Sequence, residues 1–315
     1  MADKKTVLVT GAGGALAKRV IARLHPKYQV VAVDFRRKVE TEAGVPSYKV
    51  EMHKRGFEDV FRHHHIDSVV HIGRIFAHES TRLNRYNANV LGSKKLLELC
   101  RKYYVKQVLI HSTFYVYGAS PYNPALLDED APLKASEVTQ DLVDSVELES
   151  LAQIYLWKYP ELNITILRPC NVLGPGVKNS MSLLLARPLA PVLMGFSPLM
   201  QFLHVDDMAD AHVAALEQNH PGIYNVAPED WVAYQEAVKQ CGCRRLPVLS
   251  IPPAVPRLVS NLLNWNAFFP PYLINYFKYP VIIEGKHFRE TFKWLPKRNL
   301  NDIFSYYRKN KLLAA

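Results

Sequence analysis

No apolar run in the sequence is long enough to cross a membrane; the most apolar region, Met181 to Leu203, is interrupted by Arg187, Pro188, Pro191 and Pro198. The chain begins Met-Ala-Asp-Lys-Lys and passes directly into an apolar strand, so a cleaved signal peptide is not expected. Cysteine is scarce. Cys100, Cys170, Cys241 and Cys243 are too few and too scattered for a disulfide framework, and reduced thiols in a cytoplasmic protein are the simple reading. Cys241-Gly-Cys243 has no second cysteine pair or histidine beside it, and His63-His64-His65 sends three side chains in three directions from a helix end, so no metal is expected at either. Acid is in deficit: 29 Asp and Glu stand against 39 Lys and Arg, a formal charge of +10. Part of the excess sits late, in Lys286, Arg289, Lys293, Lys297, Arg298, Arg308, Lys309 and Lys311. Such a surface attracts nucleic acid, anionic lipid or an anionic cofactor and substrate. No zinc-finger, helix-turn-helix or RNA-binding signature accompanies it, so a solvated basic face is the simpler reading and no nucleic-acid partner is expected.

What the sequence does contain is concentrated at its start. With 315 residues, 49% of them hydrophobic, the chain can bury a large core as one big or two smaller domains. Thr6-Val-Leu-Val-Thr10 reads as a buried strand, Gly11-Ala-Gly-Gly14-Ala-Leu-Ala17 as a glycine-rich turn into a helix ending near Leu24, and Val30-Val-Ala-Val-Asp34 as a second strand closing on an acid. That is a β-α-β unit suited to a dinucleotide. Gly11 permits the sharp turn, Gly14 lets a pyrophosphate approach the main chain, and Ala17 lets the helix pack close to the sheet. The helix N-terminus offers free N–H groups and a positive dipole end, which makes Gly13, Ala15 and Leu16 cofactor-binding candidates, and Asp34 can accept hydrogen bonds from an adenosine ribose. Strands and helices then alternate through two-thirds of the chain, which predicts an α/β fold with a doubly wound, Rossmann-like parallel sheet.

The spacing Gly11-x-x-Gly14-x-x-Ala17 after Val-Thr resembles the extended, epimerase/dehydratase branch of the short-chain dehydrogenase/reductase superfamily. Further motifs in register carry the resemblance: His71-Ile-Gly73-Arg74, Asn89-Val-Leu-Gly92, Ser112-Thr113-Phe-Tyr115-Val-Tyr117-Gly118, Leu167-Arg-Pro-Cys-Asn171-Val-Leu-Gly-Pro175, Phe202-Leu-His-Val-Asp206-Asp207, Tyr224-Asn-Val-Ala227 and Phe292-Lys-Trp-Leu-Pro296. The resemblance implies NAD, with NADP left open because Arg36 and Arg37 follow Asp34 closely. It implies that Glu51, at the end of a third strand from Tyr48 to Met52, touches adenine. It places Thr113 on the reacting oxygen of a substrate and Asn171 facing that substrate, and it sets Asn89, at the opening of a helix, to brace the central strand. Ser112 and Arg74 lie beside the cofactor, and Arg74 reaches its pyrophosphate, an acidic substrate group or solvent. Arg168 and Pro169 are structural. Asp206 and Asp207 stand where carboxylates cap a helix, with a paired acid/base role as the lesser reading. A dinucleotide-binding domain over 1–175, joined by 201–227, would carry a small discontinuous substrate lobe from 176–200 and 228–315.

One departure matters. The family carries a Tyr-x-x-x-Lys pair on the helix after the fifth strand. Here one helix is expected from about Glu137 to Tyr155, with Val138, Leu142, Val146, Leu151 and Tyr155 on its apolar face. Aligning Glu149-Ser-Leu with the family's E-x-L puts Asp141 at the tyrosine position and Ser145 at the lysine position. Two replacements are open: Asp141 or Asp144 as a base, or Tyr115 or Tyr117 swinging in as the acid. The expected function is thus an NAD(P)-dependent epimerase, dehydratase or reductase acting on a hydroxyl or carbonyl carbon of a nucleotide sugar or apolar alcohol. The alternative is a catalytically silent dinucleotide-binding sensor, scaffold or accessory protein. The lobe segment Leu246 to Ile283, with Pro252, Pro253, Pro256, Trp265, Phe268, Phe269 and Pro270, suits a hydrophobic substrate, a peripheral lipid contact, a homodimer contact or plain core.

Overall fold

The computed structural model describes residues 4–36, 39, 44–51, 54–75, 80–249 and 271–314. Arg37, Met52 and the segment Pro252 to Pro270 singled out above lie outside the described residues. In chain order the first half holds β1 (Thr6–Thr10), α1 (Ala15–Leu24), β2 (Gln29–Asp34), β3 (Ser47–Lys49), α2 (Gly56–His63), β4 (Ser68–His71), α3 (Arg82–Tyr86), α4 (Gly92–Lys102), β5 (Gln107–His111), α5 (Ala135–Val138) and α6 (Val143–Lys158). The second half holds β6 (Ile164–Pro169), β7 (Asn171–Leu173), α7 (Ser180–Leu185), β8 (Leu189–Leu193), β9 (Leu199–Met200), β10 (Phe202–His204), α8 (Val205–Gln218), β11 (Gly222–Val226), β12 (Val232–Ala233), α9 (Tyr234–Gln240) and β13 (Arg244–Val248). Helices Lys286–Thr291 and Leu300–Ala314 follow.

Seven strands form one sheet in the order β3-β2-β1-β4-β5-β6-β11, every pair parallel. Both faces are covered, which is why β1 is buried at every residue and reads as an unbroken apolar run. The order reverses between β1 and β4, and it is at such a switch point, beyond the strand carboxyl ends, that open α/β sheets bind ligands. Outside this sheet, β8 pairs with β13, β9 with β12, and β7 with β10, so pieces from 189–200 are joined to pieces from 232–248. No helix among the described residues is long and apolar enough to cross a membrane.

Three local expectations change. The helix from Glu137 to Tyr155 is not continuous: Thr139 is extended (φ −155°, ψ 137°), its Oγ1 accepts from Asp141 N, and a short 3-10 turn precedes α6. Asp141 therefore sits on that turn, while Asp144 and Ser145 open α6. Asn89 does not open a helix; it lies in a π-helical turn, Asn87–Leu91, joining α3 to α4, with Thr81 as the upstream cap. Such widened turns are frequent at functional sites. At the start of α8 the cap is His204, whose Nδ1 accepts from Asp206 N. Asp206 instead pairs with Arg19 at 3.1 Å and Arg23 at 3.3 Å, and Asp207 with Arg298 at 2.9 Å, which ties α8 to α1 and to the chain's basic end.

Candidate functional site

The turn after β1 is held by close backbone packing. Gly11 has φ +69°, and a Cβ there would lie 2.5 Å from Gly73 Cα, so β1 and the exit of β4 touch through two glycines at the switch point. Gly14 N donates to Gly11 O at 2.8 Å, and Gly14 begins α1 with no side-chain cap and no acid in the first helical turn. Uncapped N–H groups and the positive dipole end then face the space in front of the turn, the arrangement a phosphate fits. Asp34 is buried at the end of β2; its Oδ2 accepts from Gly13 N and its Oδ1 from Arg36 N, both at 2.9 Å.

From this turn a chain of directed hydrogen bonds runs under the site. Ser93 Oγ donates to Asn89 O (2.6 Å), so it accepts from His71 Nε2–H (2.8 Å); His71 Nδ1 then accepts from Thr10 Oγ1 (2.7 Å), which accepts from Gly73 N (3.2 Å). Asn89 in the π turn clamps Ile75 at both backbone atoms (2.9 Å each) and donates to Asp144 Oδ2 at 2.6 Å. Arg74, between the two clamped points, sends its guanidinium to Ser145 Oγ.

These tautomers require a neutral His71. Burial first, and Arg74 second, hold it at about 4; burial holds His212 at about 4 as well, against the Met208 carbonyl that accepts from its Nδ1. The unfolded chain binds both protons below pH 6.5 and the folded chain only below about 4, so this stability is complete above pH 6.5 and is lost as pH falls towards 4. Urea denaturation at pH 7 and pH 5 is expected to show a loss of roughly 4 kcal/mol for the two rings together; a flat profile over that range contradicts the neutral assignment.

A cleft of about 490 Å3 runs from Gly11, Gly13, Gly14, Ala15, Leu16 and Asp34 past Gly73 and Arg74 to His111, Ser112, Thr113, Tyr115, Asp141, Asp144, Ser145 and Asn171. Thr113 Oγ1 accepts from Tyr115 N at 3.3 Å, capping the 3-10 turn Phe114–Tyr117, and its own proton stays available to a ligand. Tyr115 lies against Phe114 and Tyr276 (ring centroids 4.3 and 4.8 Å), and its hydroxyl, in the cleft wall, donates to Asn171 Oδ1 at 3.2 Å. Asn171 also donates to Gln201 O at 3.1 Å; its amide is held from both ends. Asp141 accepts from the buried Arg85 at 3.4 Å.

Two expected site residues lie elsewhere. Tyr117 is buried outside the lining: its hydroxyl donates to Asn225 Oδ1 (2.7 Å) and accepts from Arg168 Nη1 (2.8 Å), and burial pushes it up to about 12, so it cannot swing in as the acid. Glu51 follows β3, pairs with Lys54 at 3.0 Å, and is not part of the cleft wall. The third strand itself is Ser47–Lys49, shorter than expected. His63, His64 and His65 diverge: His63 to Asp59 O, His64 to Tyr48 Oη, His65 towards Asp67. Sequence reasoning passed over His111, although its position two residues before Thr113 at a strand end marks it for the same face.

Comparison with known proteins agrees with this geometry. Residues 7–227 match the NAD dependent epimerase/dehydratase family. An uncharacterized protein of Mycobacterium tuberculosis is 29% identical over 260 residues, covering 78% of this chain and 67% of the relative. A UDP-glucose 4-epimerase of Yersinia pestis is 28% identical over 258 residues, covering 69% and 75%. In fold, the chain is similar to a UDP-glucose 4-epimerase of Thermus thermophilus solved with NAD, at TM-score 0.75 and 20% identity over 96% of this chain and 99% of that one. The matched span takes in the glycine turn, Asp34, the Thr113 loop and Asn171, and on that match the chain belongs to the NAD-dependent epimerase/dehydratase family.

Proposed function

We propose that the chain binds NAD in this cleft and exchanges hydride with a hydroxyl or carbonyl carbon of a nucleotide-sugar or apolar alcohol substrate. The observation that carries the reading is the continuity of the cleft. One end offers uncapped N–H groups and a strand-end carboxylate; the other offers a threonine hydroxyl with an available proton. Ala15 and Leu16, whose N–H groups open α1, would hold the pyrophosphate where the missing side chains of Gly13 and Gly14 let it approach, and Asp34 the adenosine ribose, where its carboxylate repels a 2′-phosphate and so favours NAD over NADP. Bound there, NAD supplies the hydride acceptor or donor. Thr113 would hold the reacting oxygen by donating Oγ1–H, and Asn171, itself braced, would shape the substrate side of the wall. Arg74 brings a cation to Ser145 from the segment after β4, whereas α6 carries none there.

The test is direct. Titration with NAD should quench tryptophan fluorescence or raise thermal stability, and a panel of nucleotide sugars and apolar alcohols should change nicotinamide absorbance. Thr113→Ala is expected to lower turnover about 100-fold or more, in line with loss of one oriented donor, with NAD binding kept. Absence of NAD binding sinks the reading. A specific observation favours the silent alternative: Asp141 and Asp144 are already engaged, by Arg85 and Asn89. If NAD binds and no substrate turns over, that alternative stands.

A further inference from the structure

His111 lines the cleft, and the reading above gives it no work. It is the last residue of β5 and half-buried, and its ring stacks on His212 of α8 at a centroid distance of 5.1 Å and 27° between planes. Its Nδ1 is sealed from solvent with no hydrogen-bond partner among the described residues, and so is Nε2 of His212. Two stacked imidazoles with unsatisfied buried nitrogens cost stability that an apolar pair of similar shape would not. Such a cost, set in the wall of a cleft, points to use by a ligand or reaction.

We propose that His111 is the proton-exchanging residue of this site, a catalytic residue that takes the proton of a substrate hydroxyl at Nε2 while hydride leaves the same carbon. The inference rests on reading the cleft as a hydride-transfer site. In the oxidising direction His111 forms an N–H bond as the hydroxyl O–H bond breaks. The C–H bond breaks with its electron pair, hydride passes to the oxidised nicotinamide dinucleotide, and the C=O bond forms. The substrate thus loses two electrons, the dinucleotide gains them, and the imidazole holds the proton for return.

The surroundings suit that cycle. Burial, His212, Arg74 and His71, in that order, hold the His111 ring well below its ordinary range, so it enters neutral and gives its proton back readily. The hydroxyl becomes a strong acid as hydride departs, so a weak base suffices. The competing groups are less free: Asp141 is paired with Arg85, Asp144 with Asn89, and the Tyr115 hydroxyl is bound to Asn171. His212, fully buried and donating to Met208 O, supports the His111 ring from below and touches no ligand.

Diethyl pyrocarbonate footprinting on the whole protein at pH 7, read by peptide mass, tests the placement without turnover. His111 is expected to be carbethoxylated, His71 and His212 to be spared, and oxidised NAD to slow the His111 reaction at least about tenfold. NAD that binds, by fluorescence titration, yet leaves His111 unprotected overturns this inference and leaves the hydride-transfer reading standing; NAD that does not bind overturns both. With a substrate in hand, His111→Asn is expected to lower turnover about 100-fold or more while still binding NAD. Retained turnover in His111→Asn, with loss in Tyr115→Phe or Asp141→Asn, assigns the proton to those groups and overturns the inference.

Discussion

Replacing Gly11 by alanine is expected to abolish NAD binding and to destabilise the fold by about 3 kcal/mol, the sum of left-handed strain and backbone overpacking. Gly11 sits at φ +69°, where a side chain is strained whatever the space, and its added Cβ would stand 2.5 Å from Gly73 Cα and 2.7 Å from Gly73 N. Neither neighbour is a side chain that can turn aside. Relief requires β1 and the exit of β4 to separate, and that separation opens the point from which Gly13, Asp34 and Arg74 are aimed. Gly14→Ala is the control. Gly14 has an ordinary φ of −76°, so no left-handed strain arises, and its added Cβ would meet only Gly11 O, at 3.2 Å, so the fold should lose less than in Gly11→Ala while phosphate access suffers. Urea denaturation and fluorescence titration with NAD measure both quantities. A Gly11→Ala protein as stable as the parent and with equal affinity would refute the close-packed switch point.

That glycine pair explains what was legible beforehand. The turn, Asp34 and the alternation of strands and helices follow from short-range signals: a buried run, a glycine where the chain reverses, a helix of the right period, an acid at the next strand end. Gly73 was readable only as part of a strand exit, because its contact with Gly11 spans the sheet. The same limit applies elsewhere. Apolar spacing from 137 to 155 could not show the extended backbone at Thr139, since Thr139 breaks the helix without breaking the period. Asp206 and Asp207 look like caps locally; the arginines that take them are 187 residues upstream, at Arg19, and 91 downstream, at Arg298. Arg74 and Ser145 are 71 residues apart, so the cation beside Ser145 cannot be read from α6. His111 carries no motif of its own, and its partner His212 lies on another element.

Arg168→Met is expected to cost about 3–5 kcal/mol, the penalty for stranding a buried charge. Arg168 is 1% exposed and Glu149 0%. The guanidinium donates Nε and Nη2 to Glu149 Oε1 at 3.0 and 2.9 Å, and Nη1 to the Tyr117 hydroxyl and Glu129 O at 2.8 Å each. Glu149 Oε2 has no hydrogen-bond partner among the described residues, so loss of Arg168 leaves the carboxylate uncompensated. The double variant Arg168→Met with Glu149→Leu removes both charges and should recover most of the loss, because a buried ion pair and an apolar pair of similar volume are often close in stability. Denaturation of the parent, both single variants and the double variant decides it; single losses below about 1 kcal/mol, or losses that simply add, would deny the coupling. The pair also matters to the cleft. Tyr117 ends the 3-10 turn that Thr113 caps, and Arg168 and Asn225 fix its hydroxyl. In Arg168→Met the far end of that turn loses one of its two anchors, so turnover should fall through Thr113 even where the variant stays folded. The double variant should regain stability without regaining that turnover, which separates the charge balance of β6 and α6 from the positioning of the Thr113 hydroxyl.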